Sequence, residues 1–343
     1  MPGSPGGAGH RRLGESDSIF SHVARAVARP AEAQVADELL KVVAFDGRVR
    51  AVVAETTQAV EELRRIHDAS PTVTAALGRV ATGAMLLAAS LEKVTRREPV
   101  LTLKIAGDGP AGTMMATASP AGWMRALVDN PQAMTPARSD GKLDVRSVVG
   151  TSGTVEVARD LGTGVPYQGV VPIVSGEIAE DLVHYLAESE QIPSAVGLGV
   201  HVVPEPRVTH AGGYLLQRFP DMAEDEVAEL EGRISSLGAV TKRLRDGETL
   251  DDLVGELSPQ GCQVLERQQV RFHCGCSMDR VERALKLLGA AEISGLIRHS
   301  RTEPVSLTCH FCRAAYPVTP DRLKRLLSEL ASDASQTPPP AEA

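Results

Sequence analysis

Five cysteines occupy the last quarter of this 343-residue chain, and four of them form two close pairs, Cys274-Gly275-Cys276 and Cys309-His310-Phe311-Cys312. Two such knuckles brought together by local folding supply four sulfurs, the number that a tetrahedral Zn²⁺ site requires. Ionised thiols of this kind are metal ligands, and they are also nucleophiles open to oxidation. Three chemistries stay open on spacing alone. One is an inert structural zinc ribbon, a kind of module that often serves nucleic-acid binding. Another is a redox centre in which adjacent thiolates become disulfide partners, although a ring closed over one intervening residue is strained. The third is a thiol–disulfide oxidoreductase, which needs a low-pKa pair on a thioredoxin-like βαβ unit. His273 and His310 are alternative ligands beside the cysteines, and Cys262, outside both pairs, reads as an inert buried thiol.

The elements around the pairs form a module over residues 271–330. Ser277 is placed to cap a helix running to about Leu288, where Gly289 ends it, and Val281, Leu285 and Leu288 give that helix an inner face. The run SLTCHFCRAAYPV reads as a hairpin whose turn is the second knuckle, and Thr319-Pro320 opens a closing helix. So small a module has little core, whereas structural zinc contributes roughly 10–16 kcal/mol in finger peptides. Metal is therefore expected to decide whether it folds.

Upstream, residues 37–220 mix hairpins and helices, which predicts an α+β domain of sheet and helix rather than a doubly wound sheet. Asp46-Gly47 marks a tight turn between two strands. Thr57–His67 and the apolar run after Pro71 predict helices, the second largely buried. In residues 221–270, Val227, Leu230, Ile234, Leu237 and Leu244 recur at helical spacing, and Thr249 with Asp252 forms a capping box. This region is expected to be a marginally stable helical linker. Residues 1–36, rich in Gly, Pro, Ser, Ala and Arg, read as a disordered extension. Ile19–Ala28 has an amphipathic, transit-peptide look that Glu15 and Asp17 weaken. Residues 331–343 read as a disordered tail.

Composition narrows the function classes. A net charge of −8 and 3% aromatic residues argue against a nucleic-acid partner. No window approaches the roughly 18 continuous apolar residues of a membrane span. The paired cysteines fit a reducing, cytoplasmic compartment. Gly107–Gly112 formally matches GxGxxG after a strand, but the following TMMATASPAGW alternates and carries an early proline, so a hairpin turn is expected there. His184 and His201 read as structural histidines.

The blocks GDGP at Gly107–Pro110, YQGVVPIVSGEIAEDLVHYLAESEQIPSAV at Tyr167–Val196 and GGYLLQRFP at Gly212–Pro220 accompany the CGCS…TCHFC signature. With 32 residues between Cys276 and Cys309, the sequence resembles the redox-regulated heat-shock holdase family, the 33-kDa chaperonins, over nearly all of residues 37–330. The resemblance implies an ATP-independent chaperone, not an enzyme. It implies one Zn²⁺ per reduced chain on Cys274, Cys276, Cys309 and Cys312, and disulfides Cys274–Cys276 and Cys309–Cys312 when oxidised. It further implies unfolded client proteins as partners, with a homodimer in the oxidised form. The chain departs from the family pattern in its N-terminal extension, in a longer stretch at Pro131–Val145 and in Cys262, whose presence leaves open an off-pathway disulfide.

Overall fold

The computed structural model describes Gly3 and residues 36–258, 261–300 and 303–336; the expected extension and Ile19–Ala28 lie outside these. The fold begins with an antiparallel hairpin of β1 (Glu38–Ala44) and β2 (Val49–Glu55). Asp46 (φ 52°) and Gly47 (φ 89°) take the left-handed conformations that its tight turn demands. Helices α1 (Thr57–His67) and α2 (Pro71–Ala88) follow. The Ser70 side chain accepts from the Val73 amide, and Pro71 fills the first helical position, where no N–H is needed. By length and composition α2 is apolar enough to cross a membrane, yet 89% of it is buried. It is the axis of the core, and its small residues admit close neighbours: a Cβ at Gly78 would meet Val60 Cγ1 at 2.6 Å.

Strands β3 (Val100–Gly107), β4 (Thr113–Ser119) and β5 (Trp123–Val128) form a meander. The short helix α3 (Val145–Val149), β6 (Gly153–Asp160), β7 (Tyr167–Pro172), α4 (Ala179–Glu188), β8 (Ser194–Val203) and β9 (Arg207–Arg218) complete this part. The GxGxxG match is the β3–β4 turn, as expected. A Cβ at Gly107 would lie 2.0 Å from Val149 O and one at Gly109 2.4 Å from Val148 O, so these glycines admit the end of α3. Buried Asp181 organises the loop before α4 by accepting from the amides of Val174, Ser175, Gly176 and Ile178.

Next come α5 (Glu224–Leu237), α6 (Val240–Arg245) and α7 (Leu250–Gly255), the last opened by the expected Thr249–Asp252 box. The helical character expected through residue 270 stops there. Instead β10 (Gln263–Gln269) pairs antiparallel with β1, and β11 (Arg271–Phe272) pairs parallel with β5. Strand β10 is exposed and polar, so backbone pairing to a waiting edge, with no apolar periodicity, sets its conformation. The chain closes with α8 (Met278–Leu288), α9 (Ala290–His299), β12 (Val305–Thr308), β13 (Ala315–Val318) and α10 (Pro320–Gln336). Helix α10 runs six residues into the stretch expected to be a disordered tail; 337–343 lie outside the described residues.

The strands make a five-stranded sheet, β10-β1-β2-β9-β8, a six-stranded sheet, β11-β5-β4-β3-β6-β7, and the β12–β13 hairpin. This is the expected α+β class. Three apolar clusters hold it together. The largest packs α2 (Val73, Leu77, Met85) against Leu39, Leu103, Ile105 and Met124 of the two sheets. A second covers Leu40, Val42, Val53 and Leu216 of the five-stranded sheet with Leu230, Leu237, Leu244, Leu253 and Leu257 from α5–α7 and the residues after them. A third is confined to the C-terminal module, where Leu285, Ile293, Val318, Leu323 and Leu326 are its buried members among the described residues.

Candidate metal centre

The first knuckle is delivered by the six-stranded sheet. Arg271 N–H donates to Gly122 O at 2.9 Å and His273 N–H to Met124 O at 3.0 Å, which fixes the strand leading into Cys274. Just beyond Cys276, the Ser277 hydroxyl accepts from Arg280 N–H at 3.3 Å and starts α8, which ends at Gly289 as expected. The second knuckle closes the β12–β13 hairpin. Cys309 N–H donates to Ala314 O (2.9 Å), Arg313 N–H donates to Cys309 O (2.8 Å), and Arg313 takes φ 57° to turn the chain. The loop is thereby set by backbone bonds, and both sulfurs point to one side.

All four sulfurs lie within 4.8 Å of one another. Two approaches run across the knuckles, Cys276 to Cys312 at 3.2 Å and Cys274 to Cys309 at 3.7 Å. Zinc–sulfur bonds of about 2.3 Å at tetrahedral angles put sulfurs about 3.8 Å apart, and the cluster brackets that spacing. The donor set therefore suits Zn²⁺, and the same grouping forms a redox-active centre. Neither His273 nor His310 belongs to it; the His273 ring stands edge-on to Trp123, centroids 6.3 Å apart. Cys262 lies elsewhere, half-buried beside the second cluster, with its thiol donating to Val254 O at 3.2 Å. Burial pushes that thiol up, as suits an unreactive side chain.

Neighbouring groups differentiate the thiols. Burial pushes Cys276 up, but the Tyr316 hydroxyl, donating at 2.9 Å, and the adjacent thiols outweigh it and bring Cys276 down to about 7. Burial, reinforced by those same thiols, pushes Cys312 up to about 12. Cys274 is also raised, chiefly by burial. The guanidinium of Arg125, on β5, donates to Cys274 Sγ at 3.7 Å and lies over the Phe311 ring at 4.1 Å. One residue further along β5, Ala126 O meets His67 Nε2 at 2.9 Å. Arg313 Nε donates to His67 Nδ1 at 3.4 Å, so His67 is the neutral tautomer with its proton on Nε2. Arg125, Tyr316, His67 and Arg313 were not singled out by the sequence. Arg125 and His67 lie 149 and 246 residues before their partners Cys274 and Arg313, and no local pattern connects them.

Comparison with known proteins gives this centre its context. The family model described as Hsp33 protein matches residues 37–319. The chain is 42% identical over 294 residues to a 33 kDa chaperonin of Bacillus velezensis, covering 85% of this chain and 99% of that one. The chain belongs to the Hsp33 family. A Cyanothece 33 kDa chaperonin is 43% identical over 304 residues, covering 88% of this chain and 99% of its own length. The crystal structure of the Hsp33 homologue of Thermotoga maritima superposes with a TM-score of 0.78 at 30% identity, covering 87% of this chain and 100% of that chain. Hsp33 is a chaperone family, so the four-cysteine centre sits in a member of a chaperone family. The upstream blocks of the Hsp33 resemblance prove architectural: they build the β3–β4 turn, the Asp181 loop and the β8–β9 pair.

Proposed function

We propose that the chain is an ATP-independent holdase of the reducing cytoplasm, switched on by oxidation of its metal centre. Cys274, Cys276, Cys309 and Cys312 would hold one Zn²⁺ in the reduced protein. When bound, zinc supplies a tetrahedral anchor that keeps the four thiols ionised and ties the two knuckles together. The observation that carries the reading is the contrast between this centre and its support. Four sulfurs converge in a module whose own buried core, among the described residues, is five apolar side chains, so cross-links at the cysteines decide whether it stays folded.

Oxidation converts Cys274 with Cys276, and Cys309 with Cys312, to disulfides. Each knuckle then closes on itself and the tie between knuckles is lost. The module (271–330) loosens, and with it β10 and β11, which join it to the two sheets. Linker helices α5–α7, supported from the same side, release the five-stranded sheet of the 37–220 domain. The face carrying Leu40, Val42, Val53 and Leu216 becomes available to unfolded client chains. A homodimer of the oxidised form follows from the same apolar face. Zinc and free-thiol counts before and after peroxide, beside suppression of aggregation of a heat-denatured client, test the reading. Activity that tracks loss of zinc and four thiols supports it. Activity that requires ATP or ignores oxidant sinks it.

A further inference from the structure

We propose that Arg125 is the positioning residue that makes docking of the C-terminal module on the six-stranded sheet depend on the redox state of its cysteines. The inference rests on the reading that the four cysteines hold Zn²⁺ when reduced. Strand β5 meets the module at successive residues: Trp123 against the His273 ring, Met124 O on the His273 amide, and Ala126 through His67 to Arg313. Arg125 is the cation in this row. It reaches the first knuckle through Cys274 Sγ at 3.7 Å and the second through Phe311, 4.1 Å from the ring centroid. Its Nε is buried without a hydrogen-bond partner. The carboxylates nearby are engaged elsewhere, Asp160 with Arg97 at 3.0 Å and Glu98 with the Trp123 indole at 3.1 Å and with Ser119. The sulfur cluster is therefore the counter-charge of Arg125.

Charge balance gives the consequence. Four thiolates and one Zn²⁺ carry a net charge of two minus. Each disulfide forms from two thiolates, one hydrogen peroxide and two protons, releasing two waters; the sulfurs lose two electrons and the peroxide gains them. Two such events remove four negative charges, and the metal leaves as Zn²⁺, so a net charge of two minus becomes zero. The guanidinium then faces neutral sulfur in a partly dry interface, where an uncompensated charge is costly. Reduced cysteines hold the module on β5, and oxidised cysteines release it at Arg125.

The test uses the full-length reduced protein with zinc measured in every sample. The amides of Arg271 and His273, bonded to Gly122 just before β5 and to Met124 within it, report docking by hydrogen exchange, and Trp123, the single tryptophan, reports it by emission. R125Q removes the charge and keeps the polar stem; R125K keeps the charge and loses the planar group. The expected result is exchange about tenfold faster at both amides in R125Q with zinc still bound, and near wild-type exchange in R125K. Unchanged exchange in zinc-bound R125Q overturns the inference, and so does equal acceleration in R125K, which would assign the contact to stacking alone. If R125Q fails to fold, R125K and F311L decide: both should stay docked, and undocking of zinc-bound R125K is contrary. Zinc missing from the reduced wild type would overturn the holdase reading as well, so the two failures are distinguishable.

Discussion

Leu230 and Leu237, two turns apart on α5, are each 5% exposed and pack on the face of the five-stranded sheet that carries Leu40, Val42 and Val53. Truncating either to Ala removes buried methyl groups and leaves a cavity, at about 2–5 kcal/mol per site. The pair is therefore expected to cost about 6 kcal/mol if the two sites add. That is comparable with the whole stability of many domains, ~5–15 kcal/mol. The loss should stay local, because these leucines belong to the second cluster while α2 and the C-terminal module have their own. An isolated helix of 14 residues is marginal in water, so α5 should detach rather than remain folded on the sheet. The assay is aggregation suppression by the reduced L230A/L237A protein, with zinc counted in the same preparation. Suppression without oxidant, at one zinc per chain, is the expected outcome. I234A is the control, since Ile234 is only partly buried and should leave the protein oxidant-dependent. A double variant whose α5 exchanges freely while the protein stays inactive would refute the claim that these helices mask the client surface.

Serine at Cys274, Cys276, Cys309 or Cys312 should sharply weaken zinc binding, whereas C262S should retain it; equal loss in C262S on a chelator titration would contradict the ligand set. Y316F removes the hydroxyl that stabilises the Cys276 thiolate, so protons should compete better for that sulfur and zinc affinity at neutral pH should fall on a chelator titration; unchanged affinity would remove Tyr316 from that role. The Asp37 carboxyl is pushed from 3.8 up to about 7 by burial, against the hydrogen bonds it accepts from the Gln58 and Ala59 amides. The folded state thus holds this proton more tightly than the unfolded chain. The stability linked to Asp37 is fully present below about pH 4 and falls as pH rises from about 4 to about 7. Urea midpoints of wild type and D37N across that window should converge or cross as pH rises, and parallel curves would count against the shift.

Much of this was legible locally. The Ser277 cap, Gly289 stop, Thr249–Asp252 box and Asp-Gly turn are written in adjacent residues, and their elements fall where spacing put them. The four sulfurs were legible because each pair is its own short loop. What escaped depends on partners far away in sequence. Strand β10 reads as polar linker because only the backbone edge of β1 makes it a strand. Helix α9 was missed because its apolar residues serve a small cluster shared with α8 and α10. Arg125 and His67 look like ordinary helix and strand residues until the fold carries the second knuckle to β5.

The most direct test of the switch is hydrogen exchange before and after peroxide under mild warming, with zinc and thiols counted in parallel. Oxidation should strip protection from residues 221–330, β10 and β11 included, while α2 and strands β3–β6 keep theirs. Protection lost first from α2 and the six-stranded sheet, with α5–α10 still closed, would contradict the account.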